Sequence, residues 1–177
     1  MIGVESRAQL GFTLIELMIV VVIMVVVLAL TAPAFQSVIE SNRLRTEINK
    51  ITTTLALARS EAVTQNTSVS ICPSSDGTNC SGNYAGGWML FTGSNTTSPG
   101  PIIRVFDGPA SGYSIRDTGG DITTGSLSFF PDGSSAAMIF LLCPPDLDVS
   151  AAWRVELNTV GRPRVKKGAE PGWKCSP

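Results

Sequence analysis

The chain contains no histidine. Imidazole is the commonest general base near neutral pH and the commonest metal ligand, so Ser-His, Cys-His and His-metal chemistry are excluded. The four cysteines, Cys72, Cys80, Cys143 and Cys175, are never spaced as CxxC, which argues against a zinc or dithiol redox motif. Asp132, Asp146 and Asp148 lie near turns, but no loop has the EF-hand spacing of a calcium site. Gly119-Gly120 alone is no phosphate cradle. A dominant charge is also missing. Thirteen Lys+Arg against 14 Asp+Glu leave a net charge of −1, which gives no global steering towards nucleic acid. No catalytic residue, cofactor or metal is therefore expected, and an enzyme is the weakest class. No internal repeat is present in the 177 residues.

Hydrophobicity is concentrated at one end. Leu17–Leu30 reads LMIVVVIMVVVLAL, and Gly11-Phe12-Thr13-Leu14-Ile15-Glu16 precedes it. Phe12–Leu30 would measure about 28 Å as a helix, close to the thickness of a bilayer core. Glu16 at the start of such a run costs on the order of a few kcal/mol in lipid, which makes it a functional residue by default. Its natural partner is a free amine on Phe12, which exists only if the chain is cut after Gly11. Residues 1–11 (MIGVESRAQLG) are short and mostly polar. In an ordinary secretory signal the cleavage residues follow the apolar core. Here Gly11 precedes it, so cleavage leaves the apolar segment on the mature chain. An uncleaved signal anchor accounts for the hydrophobicity but not for Glu16.

After Pro33 the pattern changes. Leu44, Ile48, Ile51, Leu55, Ala58 and Ala62 follow at helical spacing, with Arg43, Arg45, Glu47, Lys50, Arg59 and Glu61 on other faces. One helix from about Phe12 to Asn66 would be roughly 80 Å long. From Val69 onward the texture is short strands divided by Asp76-Gly77, Gly86-Gly87, Ser98-Pro99-Gly100-Pro101 and Asp132-Gly133. Ser68–Cys72 alternates as a half-buried strand, and Asp132-Gly133 suggests a hairpin between the flanking apolar runs. The expected fold is α+β: a long N-terminal helix, membrane-spanning in its first half, packed on an antiparallel sheet. The segments are a leader at 1–11, an anchor at 12–34, an amphipathic continuation at 35–66 and a β-rich head at 67–177. An even cysteine count beyond a membrane segment reads as disulfides. Three connectivities are open; Cys72–Cys80 and Cys143–Cys175 are favoured, each stabilising by roughly 2–4 kcal/mol.

GFTLIELMIVVVIM resembles the class III signal of type IV pilins and of the pseudopilins of type II secretion. ALARSEAVTQNTSVSICPSSDG at 56–77 is similar to the GspH/FimT group of minor pilins and pseudopilins. The resemblance implies a pilin fold and cleavage by a prepilin peptidase between Gly11 and Phe12. It further implies N-methylation of Phe12 and pairing of Glu16 with the amine of a neighbouring subunit during assembly. Pro33 falls where many pilins carry a kinking proline. Prepilin peptidase, other pilins and the membrane are the implied partners. The implied location is the inner membrane, single-pass with the head in the periplasm, and then the fibre.

At the other end stands Gly161-Arg162-Pro163-Arg164-Val165-Lys166-Lys167. The plain reading is a solvated terminal hairpin, Ala152–Leu157 against Arg164–Lys167, whose edge lysines discourage unwanted pairing. The functional reading is sequence-independent binding of nucleic acid through phosphates. Pro163 is expected to hold both arginines out of the sheet, and a Cys143–Cys175 bridge to hold the loop against the head. The segment resembles the Gly-Arg-x-Arg of FimT-type minor pilins, which implies that Arg162 and Arg164 contact double-stranded DNA in natural transformation. Lys166 and Lys167 join them by proximity. Trp153 and Trp173 flank the run and are expected to fill core or cover the sheet edge rather than stack on bases; Trp88 and Phe91 are expected in the core. The expected function is a minor pilin of a type IV pilus, with a type II secretion pseudopilin that binds no DNA as the alternative.

Overall fold

The computed structural model describes residues 12–118, 121 and 123–176, without the side chains of residues 30–37. The leader at 1–11, and with it Gly11 and the cleavage point, lies outside the described residues. Two compact units are present, Met1–Ser41 and Asn42–Pro177.

In the first unit, helix α1 (Leu14–Gln65) begins. The Thr13 hydroxyl accepts a bond from the Glu16 N–H at 3.3 Å, and the Thr13 carbonyl accepts one from Leu17 N–H. Thr13 is thus the helix N-cap, and Thr13-x-x-Glu16 has the order of a capping box. Every large apolar side chain from Leu14 to Leu28 is exposed. Among the described residues no helix is long and apolar enough to cross a membrane. The described side chains of the apolar run end at Ala29; the remainder of the expected anchor, residues 30–34, lies outside them.

In the second unit, Leu44, Ile48, Ile51, Leu55, Ala58 and Ala62 of α1 are all buried, the stripe that the spacing predicts. Asn66 ends the helix at φ +50°, with Thr67 N–H bonded back to Ala62 O, a Schellman-type stop. Among the described residues eight strands follow: β1 (Val69–Pro73), β2 (Gly87–Thr92), β3 (Ile102–Asp107), β4 (Ser114–Arg116), β5 (Leu127–Phe129), β6 (Met138–Cys143), β7 (Trp153–Leu157) and β8 (Pro163–Lys167). They form two four-stranded sheets, ordered β3-β2-β1-β5 and β4-β6-β7-β8, with every pairing antiparallel. The α+β class is as expected, but the head is built from two sheets rather than one. The helical stripe shares its core with Val69, Ile71, Trp88 and Leu90 of the first sheet and Phe140, Leu142, Val155 and Leu157 of the second. Trp88 and Phe91 are buried, and the Trp88 indole N–H bonds the Thr54 hydroxyl at 3.2 Å.

Two local expectations are corrected. β1 is buried at every position rather than alternately, because its second face is covered as well: Cys72, Met89 and Phe91 pack there with Cys80. The Asp132-Gly133 turn does form, through Gly133 N–H to Phe130 O and Phe130 N–H to Ser134 O. It does not close a hairpin between the flanking strands. β5 pairs with β1, β6 pairs with β4 and β7, and the bridge Phe129–Ser135 extends the turn without joining the two strands. Pairing of Val69 with Phe129 outcompetes the local partner.

Candidate functional site

The basic segment lies on the outermost strand of the second sheet. β7 and β8 pair from Trp153 opposite Lys167 to Leu157 opposite Pro163. Proline opens β8, where an edge strand requires no inward N–H. The connecting turn is closed by Gly161 N–H to Asn158 O at 2.9 Å and by Arg162 N–H to the Asn158 side-chain oxygen at 2.9 Å. Pro163 therefore does not hold both arginines off the sheet. Arg162 stands at the turn, while Arg164 sits within the ladder opposite Glu156.

The turn is anchored from below. Gly161 is buried with φ +72°, and a methyl group there would overlap Gly133 O and lie 3.2 Å from the Arg59 Nε. Arg59, on α1, donates its Nε–H to Gly133 O at 3.0 Å. Ser135 N–H bonds Thr159 O at 3.1 Å. The turn 158–162 thus rests on the turn at 132–133, and both rest on Arg59. Beside them opens a cleft of about 540 Å³ between α1 and the hairpin, lined by Arg59, Ser60, Thr64, Asp132, Gly161 and Pro163 among others.

The four cations of the segment are not equivalent. Alternation along β8 puts Arg164 and Lys166 on the face that carries Arg154 and Glu156. Lys166 Nζ lies 2.8 Å from Glu156. That bond from Lys166 is the main cause holding the Glu156 carboxyl below its usual range, with the charges of Lys166 and Arg154 adding to it. Arg154, nearly buried, lies 2.7 Å from Glu156 and 2.9 Å from Glu170, and its guanidinium stacks over Trp173 at 5.1 Å. Lys166 is thus already neutralised. Among the described residues, no ion pair engages Arg162, Arg164 or Lys167, and all three are exposed.

Cysteine pairing is Cys72–Cys80 and Cys143–Cys175. The second bridge does not hold the basic loop. It lies at the Ala152 end of β7, with Leu141 and Ala152, and ties down the C-terminal tail; the turn is at the Leu157 end. Trp153 packs against the main core and Trp173 against the smaller one, so neither flanks the turn. The Asp132 and Asp148 carboxylates are lowered in pKa by bonds from the side chains and then the backbone N–H groups of Ser134 and Ser150, within their own turns. No cluster able to hold a metal ion occurs among the described residues. At the other end of the chain, Phe12 is 83% exposed and Glu16 is also exposed. Sequence reasoning missed the Arg59–Gly133–Gly161 stack, because its members lie far apart in the chain and no local pattern joins them.

Residues 47–161 match the family described as type II transport protein GspH, and residues 6–32 match the prokaryotic N-terminal methylation motif. No curated protein matches the chain. Among solved structures, the type IV minor pilin FimU of Pseudomonas aeruginosa is similar, with a TM-score of 0.57 and 20% identity over 76% of this chain and 96% of that one. The minor pseudopilin EpsH from the Type 2 Secretion System of Vibrio cholerae is similar with a TM-score of 0.50 and 12% identity, over 71% of this chain and 97% of that one. At these identities the likeness is one of fold.

Proposed function

Because the chain belongs to the type II transport protein GspH family, matches the N-terminal methylation motif and shares the fold of a type IV minor pilin and a minor pseudopilin, we propose that it is a minor pilin of a type IV pilus that also captures DNA. In this reading a prepilin peptidase cuts after Gly11 and methylates Phe12, and the apolar helix anchors the subunit in the inner membrane with its head in the periplasm. On assembly, Glu16 neutralises the amine of a neighbouring subunit's Phe12, and the subunit passes into the fibre. The methylation motif supports the processing steps. Thr13 supports the geometry: by capping the helix it takes up the Glu16 N–H and leaves the carboxylate exposed.

The observation that carries DNA capture is the exposed edge formed by Arg162, Arg164 and Lys167, which no carboxylate neutralises among the described residues. Three phosphate contacts give sequence-independent binding whose log K falls with log salt at a slope of about −2.7. Lys166, neutralised by Glu156, adds little, and that pairing is the feature that favours the alternative, a pseudopilin with no DNA binding. A soluble fragment beginning near residue 36 should retard duplex DNA at low salt. The double substitution Arg162→Gln with Arg164→Gln should abolish the shift while leaving the circular dichroism spectrum unchanged. An undiminished shift in that variant rules the segment out as the site. Glu16→Ala in the full chain should block incorporation into pili, and normal pili would sink its assembly role.

A further inference from the structure

Arg59 has more hydrogen-bonding capacity than its structural role consumes. A guanidinium carries five N–H donors, and the one on Nε is spent on Gly133 O. Among the described residues its two terminal amino groups have no hydrogen-bond or ion-pair partner. The side chain is half-buried and borders the cleft of about 540 Å³, beside the hydroxyl-bearing Ser60 and Thr64. Gly161 lines the cleft, and glycine stands at the closest approach of both turns to Arg59. A methyl group on Gly133 would sit 3.1 Å from Nε, and one on Gly161 would sit 3.2 Å from it.

We infer that this cleft is a phosphate-binding subsite with Arg59 as its cation. Resting on the DNA reading above, the inference is that it takes one backbone phosphate beside the one on Arg162, whose turn borders the cleft, while Arg164 holds its phosphate from the other face of β8. Fixing Nε on Gly133 O aims the remaining fork of donors, and a fixed fork suits a tetrahedral oxyanion better than a mobile ammonium does. The fork is also ordered before ligand arrives, so little freedom is lost on binding. Asp132 at the rim opposes an anion. However, its Oδ1 is taken by Ser134 N–H and Oγ–H at 2.9 and 2.6 Å, so it weakens the site without closing it.

The test uses the full chain in neutral detergent, with inorganic phosphate and duplex DNA as separate probes. Inorganic phosphate on the order of 10 mM should move the Arg59 Nε–H resonance. Asp132→Asn keeps the turn's acceptor, removes the charge and should tighten phosphate about two- to fivefold. With DNA, a fourth contact raises the salt slope to about −3.6, and Arg59→Gln should bring it back by about 0.9. Arg59→Lys should keep the slope, because it keeps the charge. An unmoved resonance in phosphate overturns the subsite, even if DNA still binds through Arg162 and Arg164. So does an Arg59→Gln variant that loses stability but keeps the wild-type slope. A resonance that moves in phosphate while the wild-type chain fails to bind DNA leaves the subsite standing with free phosphate as its ligand, and overturns the DNA reading instead.

Discussion

Replacing Gly161 by alanine places one methyl group at a backbone φ of +72°, against Gly133 O. Two costs follow. An L-residue held in the left-handed region loses about 1–2 kcal/mol. Relieving the overlap by pushing Gly133 O away from the methyl group breaks the bond that this oxygen accepts from Arg59, which as a charged hydrogen bond contributes about 1.5–3 kcal/mol. The combined loss is about 2.5–5 kcal/mol. Gly168→Ala is the control. Gly168 has φ +81°, but nothing lies within 4 Å of an added methyl group, so only the backbone cost of about 1–2 kcal/mol applies. Urea unfolding of the soluble fragment, with the two variants measured side by side, isolates the packing contribution as their difference. It should come to about 1.5–3 kcal/mol at unchanged m-value. Equal losses in the two variants would refute the claim that the Arg162 turn is held by its seat on Gly133 and Arg59.

Three further outcomes are expected. Glu156→Gln releases Lys166 from its ion pair and should steepen the salt slope of DNA binding by about 0.9; an unchanged slope would put Lys166 out of reach of the DNA. Replacing Cys143 and Cys175 by serine should lower stability by about 2–4 kcal/mol yet leave DNA affinity intact, since that bridge lies at the far end of β7 from the turn; a parallel loss of affinity contradicts this separation. In acid, Asp76, Asp132, Asp148 and Glu156 all have folded pKa values below their ordinary ones. Asp76 is held down first by the Asn79 side chain and then by the N–H groups of Asn79 and Thr78. A depressed carboxylate pKa contributes stability above the unfolded value, here 3.8 for aspartate, and loses it as pH falls through the folded value. The urea midpoint should therefore hold steady from about pH 8 to 5 and decline below about pH 4. Asp76→Asn should flatten that decline; a decline of unchanged depth would assign the acid sensitivity elsewhere.

The helical stripe was legible because burial and spacing agree residue for residue: Leu44, Ile48, Ile51, Leu55, Ala58 and Ala62 repeat at the helix period and share one core. The β7–β8 hairpin was legible because its partners adjoin in sequence. The division into two sheets was not. Asp132-Gly133 carries an ordinary turn signal, and only the distant demand of β1 for a neighbour diverts β5 into the other sheet. Within the basic segment, residue types were visible but charge states of the edge were not. The neutralisation of Lys166 depends on which face of β7 carries Glu156, a matter of register. Arg59 was visible only as one of several polar residues on the helix, since its partners arrive from two turns far along the chain.

The path of the chain through that diverted turn also sets an order of events. β6, β7 and β8 pair with one another in chain order, so that part of the second sheet forms over short loops. The first sheet is complete only when Phe129 returns to Val69, across a loop whose closure entropy must be met before any pairing rewards it. The edge bearing Arg162 and Arg164 therefore belongs to the kinetically local part of the head, and the seat on which its turn rests belongs to the slow part. On this ordering the hairpin forms early and is aimed late, when closure of the first sheet brings Gly133 beneath Gly161.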